Sequence, residues 1–206
     1  YQTPVSERFL IFTRRGIKIE DYPAILKHLE QFKDRLMPKP KDWKGEWAGR
    51  KEGTYQWYEI QDSIDYWKEF EKAKVVYQEI MTYQAFSYDS DRIFTNNKIF
   101  ILPDLALEYL GILNSQIVWF YLNQVTSKLQ GGALAMQSPY VLSIPIPPIS
   151  KPVQSQIESL VTRILALKKS DPAADTSALE SEIDQLVYGL YGLTEEEVAV
   201  VEGAVG

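Results

Sequence analysis

Between Arg14 and Lys51 the sequence sets Arg14, Arg15, Lys18, Lys27, Lys33, Arg35, Lys39, Lys41, Lys44, Arg50 and Lys51 around Trp43 and Trp47. Lysine and arginine neutralise phosphates and release their counterions, and arginine also pairs with two acceptors on a guanine edge. A soluble basic surface beside a tryptophan-rich core would have the same composition, because the excess of charge is modest. A second stretch, residues 127–138, carries Lys128, Gln130 and Gln137 around Gly131 and Gly132. Glutamine can pair with adenine, and lysine with phosphate or guanine. An ordinary surface loop reads the same way. A third set, Gln84, Tyr88, Asp89 and Arg92, lies between two apolar runs and is open to both readings.

Other chemistry is excluded or weakly signalled. There is no cysteine and one histidine, His28. Disulfide scaffolds, thiolate zinc sites and cysteine nucleophiles are therefore ruled out, and a Ser-His-Asp triad would have to use His28. His28 itself reads as helix surface or boundary. The sequence contains no phosphate loop, no GxGxxG turn, no GxSxG elbow and no HExxH helix. Asp89 with Asp91, and Glu69 with Glu71, read as solvated carboxylates, since side chains two apart on a helix do not face each other. Asp104 and Glu108 after Pro103 resemble a nuclease core, but no lysine follows Glu108 at the required spacing. An enzyme using such carboxylates is the least supported reading.

The 206 residues suffice for one domain, or a domain with an appendage, without metal or disulfides. No apolar run reaches the length of a membrane span, and no signal-peptide pattern opens the chain; no membrane partner is expected, and the location reads as cytoplasmic. The sequence begins at Tyr1 without methionine, which reads as a piece of a longer protein. The net charge of −6 hides a gradient. Residues 1–51 hold 12 Lys+Arg against 7 Asp+Glu, residues 52–170 hold 10 against 12, and residues 171–206 hold none against 9. A basic front and an acidic tail can serve different partners.

The elements that must carry these residues follow from periodicity. Residues 9–13, 54–60, 74–80, 83–88 and 97–102 have strand character. Residues 22–36 read as a helix opened by Pro23 and ended by Pro38, with 37–53 a loop and 64–72 a short helix. Residues 105–125 predict a buried helix interrupted near Gly111 or Asn114. Residues 127–138 predict a flexible polar loop. Trp57, Trp67 and Trp119 read as core. Pro145, Pro147 and Pro148 mark a boundary. Beyond it Val153, Ile157, Leu160, Val161, Ile164 and Leu167 share a helical face, as do Leu179, Ile183, Leu186, Val187 and Leu190. Ser177 with Glu180, and Thr194 with Glu197, have capping-box spacing. The order predicts an α+β fold, a mixed-sheet domain over 1–150 followed by a C-terminal helical hairpin over 151–206.

Several segments in this order resemble a known family. They are Gly53, Trp57-Tyr58-Glu59-Ile60, Lys74 to Ile80, Asn97 to Leu102, Leu110-Gly111-Ile112-Leu113-Asn114-Ser115 with Trp119-Phe120, and Pro145-Ile146-Pro147 after Tyr140. Together they resemble the TaqI-like C-terminal specificity domain. That is the target recognition domain of type II restriction-modification enzymes and N6-adenine DNA methyltransferases. The tail from Ile183 to Thr194 resembles the C-terminal ends of the same enzymes.

The resemblance covers roughly residues 8–202 and implies a non-catalytic reader of double-stranded DNA. Such a domain docks in the major groove and presents its site to upstream methyltransferase or nuclease domains of the same polypeptide. It implies no cofactor in this piece, with S-adenosylmethionine and magnesium belonging upstream, because the Asn-Pro-Pro-Tyr/Phe motif is absent here. On this reading the DNA-contacting candidates are Arg14, Arg15, Lys39, Lys41, Lys44, Arg50, Lys51, Lys128, Gln130 and Gln137, with no catalytic and no metal-binding residue. The rival reading is a protein-interaction or assembly module that uses the amphipathic helices after Pro148.

Overall fold

The computed structural model describes residue 1 and residues 8–205. The chain divides between Lys68 and Glu69 into two compact units, the second of which also takes in Tyr1.

The first unit has little regular structure. Pro23 opens α1 (Pro23–Glu30), and the four-residue α2 (Lys33–Leu36) follows after a break at Gln31 and Phe32. The single helix expected over 22–36 is thus two. His28 is exposed on α1 and packs edge-on against Phe32. Residues 9–13 form no strand: Phe9 is 98% exposed, and Thr13 lends its carbonyl to the Ile60 amide at 2.8 Å. Residues 54–60 form no strand either. Tyr55 and Glu59 turn inward while the backbone runs through turns. Alternation predicts a strand only where another strand is available to pair.

The chain enters the second unit through a short 3-10 turn, Trp67–Glu71, where a helix was expected. Strand β1 (Lys74–Gln78) then runs on to the short β2 (Ile80–Met81), followed by β3 (Ser87–Asp89) and β4 (Ile99–Pro103). β1 lies at the centre of an antiparallel sheet in the order β3-β1-β4, with Val76 opposite both Ser87 and Ile101. Its residues Lys74 to Tyr77 are all buried.

Helices α3 (Leu107–Leu113) and α4 (Gln116–Val125) fill the span predicted as one interrupted helix. The break falls at Asn114, one of the two expected positions. Asn114 turns its amide onto the Phe86 backbone, donating to the carbonyl at 2.9 Å and accepting from the amide at 3.1 Å. It thereby pairs with a neighbouring segment as a strand would, and that competition with the helix ladder explains the break.

β5 (Leu134–Ala135) pairs antiparallel with β2, and α5 (Ser138–Leu142) leads to the prolines. Three helices complete the unit: α6 (Lys151–Ser170), α7 (Ser177–Tyr191) and α8 (Glu195–Val205). Ile157, Leu160, Val161 and Ile164 of α6, with Ile183 and Val187 of α7, join the core built on β1 and α3. Leu167 remains 43% exposed.

Gly111 lets these layers meet. A Cβ there would stand 2.7 Å from Ile157 Cγ2 and 3.0 Å from Val161 Cγ2. The capping box at Thr194 forms as spaced: its amide donates to Glu197 Oε2 at 2.8 Å, and its hydroxyl accepts from the Glu197 amide at 3.3 Å. At α7 the cap residue is Thr176, not Ser177; the Ser177 amide instead donates to Asp175 at 3.0 Å. The fold is α+β, and among the described residues no helix is long and apolar enough to cross a membrane.

Candidate nucleic-acid interface

The cations of the first unit sort by chemistry. Arg50 is half-buried. Its Nε donates to the Leu36 carbonyl, and its terminal nitrogens donate to the carbonyls of Glu59 and Trp57, each at 2.7 Å. Its guanidinium stands 4.6 Å from the Tyr55 ring centroid. Arg15 donates to Thr54 Oγ1 at 3.1 Å and to the Gln61 carbonyl at 2.8 Å. The planar fork of arginine suits this work, because it can satisfy several fixed carbonyls at once. In a unit with few ladder hydrogen bonds these cross-links replace sheet pairing. Glu59, 6% exposed, adds to them by accepting the Gly16 amide at 2.6 Å and the Gln56 amide at 2.8 Å. Two of the three arginines expected among the DNA contacts, Arg15 and Arg50, therefore donate from their guanidinium groups to the chain itself.

The remaining cations are differently placed. Arg14 is exposed and lies over the Trp67 ring at 5.3 Å. Lys51 pairs with Asp62 at 2.6 Å, and this hydrogen bond holds the Asp62 carboxyl below its usual range. Lys41 and Lys44 are exposed and Lys39 is half-exposed; among the described residues none of the three forms an ion pair. Lys39 and Lys41 line an open groove of about 490 Å³ with Pro38, Pro40 and Thr54. The Lys39 amide donates to Arg50 at 3.0 Å, and the Arg50 amide donates to Met37 at 2.9 Å. The arginine that ties the unit together thus also fixes the backbone carrying the first free lysine. Trp43 and Trp47 meet edge-on with centroids 5.3 Å apart, and Trp43 is 49% exposed.

In the second unit the loop 127–138 is more ordered than its composition suggests. Lys128 bridges to Leu134, the Leu129 amide donates to Ala133 at 2.7 Å, and the Ala135 amide donates to Ser127 at 3.0 Å. Gly131 and Gly132 turn the tip with φ near +80°. The return leg is core, with Leu134 and Met136 fully buried. Lys128 and Gln130 share the exposed tip, whereas Gln137 lies beyond the buried leg at the start of α5.

The carboxylates do not gather. Asp104 binds Lys72 at 2.6 Å, and Glu69 binds it at 2.9 Å. Glu108 is buried and accepts from Gln154 at 2.9 Å. Among the described residues no group of acidic and imidazole side chains is placed to hold a metal ion. Asp89, expected on the surface, is 1% exposed and forms a buried ion pair with Lys74. A charged lysine heading an otherwise apolar strand was the signal for this pair, because a buried ammonium requires a partner.

The Asn114 break and the capped α7–α8 turn fall on the segments whose order the sequence reading singled out. A search of curated proteins found no match. Among solved structures the chain is similar to the type IIL restriction-modification enzyme MmeI, in a structure of that enzyme in complex with DNA. The TM-score is 0.60 at 14% identity, a likeness of fold, over 92% of this chain and 27% of that one. The chain therefore spans about a quarter of that enzyme's length. A family model described as the TaqI-like C-terminal specificity domain matches residues 1–146, well over half of the sequence, and the chain belongs to that family.

Proposed function

We propose that this chain is the non-catalytic target-recognition part of a restriction-modification enzyme. On this reading it docks in the major groove of double-stranded DNA and presents the site to methyltransferase or nuclease domains upstream in the same polypeptide. The catalytic chemistry, with S-adenosylmethionine and magnesium, resides in those domains, and the enzyme works in the cytoplasm. The observation that carries the reading is family membership together with three lysines, the exposed Lys41 and Lys44 and the half-exposed Lys39, without carboxylate partners among the described residues. Residues 1–150 take the recognition role, and residues 151–206 brace it from within the shared core. The apolar stripe of α6 is spent on α3 and α7. That leaves the assembly-module reading less to work with.

The test is a salt titration of DNA binding by the full chain and by a variant with Lys39, Lys41 and Lys44 all changed to alanine. Each phosphate contact contributes about 0.9 to the slope of log affinity against log salt. Loss of three should lower the slope by roughly 3 and weaken binding evenly across sequences. Unchanged affinity and slope would remove these lysines from the interface.

A further inference from the structure

Arg92 occupies a loop of the sheet whose backbone is fixed by a buried carboxylate. The Asp89 carboxylate, at the end of β3, accepts the Asp91 amide on Oδ1 and the Ile93 amide on Oδ2, each at 2.9 Å. Its Oδ2 also takes the Lys74 ammonium, which in turn donates to the Phe70 carbonyl at 2.9 Å. Asp89 is 1% exposed and Lys74 is fully buried. Residues 89–93 are thus tied to the central strand by groups that water cannot reach.

Between the two captured amides sits Arg92, with φ +60° and an exposed side chain. The left-handed region is unfavourable for a residue with a Cβ, and glycine or asparagine occupies it at lower cost. Among the described residues Arg92 makes no ion pair and no side-chain hydrogen bond. An arginine held in a costly conformation, with its guanidinium free, contributes nothing to this unit that glycine would not.

We propose that Arg92 is a specificity-determining residue that pairs with a guanine edge in the target DNA, and that Asp89 and Lys74 are the positioning residues that aim it. The inference rests on the recognition reading above. It adds a residue that composition alone left ambiguous. A guanine contact requires a fork at a fixed place, because its two acceptors lie at set positions in the groove. A phosphate contact tolerates a mobile side chain and has no need of a backbone locked by a buried ion pair.

The test uses the full chain as wild type, Arg92→Gly and Arg92→Asn, each selected against a randomised duplex DNA library and melted thermally. Both replacements accept the left-handed backbone, so neither should lower the melting temperature. Each should lose preference for guanine at one position of the wild-type motif. On the wild-type motif itself, binding should weaken about 5- to 150-fold. A motif left unchanged in both variants, or a wild-type motif without guanine, overturns the inference. Equal weakening on all sequences with a shallower salt slope also overturns it, in favour of a phosphate contact. A wild-type chain that enriches no motif overturns the recognition reading, and this inference with it.

Discussion

Replacing Asp184 by asparagine should stabilise this protein above neutral pH and leave it unchanged in acid. Asp184, on α7 and 7% exposed, accepts the Gln116 amide at 2.8 Å and so caps α4 from 68 residues away. Ser115, the local cap residue, spends its hydroxyl on the Ile112 carbonyl at 2.6 Å. Burial raises the Asp184 carboxyl from 3.8 to about 6; the Gln116 bond works against the shift, and Glu180 and Glu202 add to it. A carboxyl whose folded value lies above its unfolded one binds more protons when folded, so stability falls as pH rises through that window. The full difference corresponds to roughly 3 kcal/mol. Asp184 borders an open cavity of about 680 Å³ shared with Gln84 and Glu202. Solvent there screens part of the effect, and between about 1 and 3 kcal/mol should remain. Asparagine keeps the acceptor for Gln116 and carries no charge. Urea unfolding of both proteins at about pH 4, 6 and 8 isolates the contribution of Asp184 together with its coupling to Glu180 and Glu202, because the remaining carboxylates titrate alike in the two. The variant's advantage should be largest at the highest pH and vanish near the lowest. A variant weaker above neutral pH would show that the cap depends on the charge and not merely on an acceptor, and a difference that does not change with pH would show that burial does not raise the Asp184 carboxyl.

Three further outcomes follow from the packing. Arg50→Lys should fail to replace arginine: a single ammonium cannot serve the carbonyls of Leu36, Trp57 and Glu59 together, and hydrogen exchange should speed up at the amides of Gly16, Gln56 and Ile60. Asp89→Ala should cost about 3–5 kcal/mol in urea unfolding by stranding Lys74, and the double variant with Lys74→Met should recover part of that loss. Gly111→Ala should destabilise by about 1–3 kcal/mol despite alanine's better helix propensity, because its methyl would press on Ile157 and Val161.

The parts of this fold that were legible in sequence are those whose geometry repeats. The α6 and α7 stripes, the buried β1 strand and the break at Asn114 announce themselves through period or through a competing side chain. Residues 9–13 and 54–60 have strand composition but no strand to pair with, and only tertiary contacts decide that. Glu59 and Arg50 hold those segments through backbone groups three to forty-three positions away, and such partners leave no pattern along the chain. Asp89 was misread for the same reason. Its partner Lys74 sits opposite it across two strands, a relation set by register.

Charge counting was least informative where function depends on it most. Arginine and lysine contribute equally to the basic front, yet the structure uses them differently. Arg15 and Arg50 fold the first unit, because a planar fork can bind several carbonyls and remain desolvated. Lys41 and Lys44 are exposed and Lys39 is half-exposed, and among the described residues none of the three is tied into an ion pair. A lysine of that kind fits a phosphate, where any direction of approach serves, better than a base edge, where one does. Contacts to phosphate position a protein on DNA, and contacts to bases select the site. If the front cations position, selection falls to forks held on rigid backbone. Arg92 meets that condition, and Arg50 does not, for all its place in the basic stretch, because its donors are already taken.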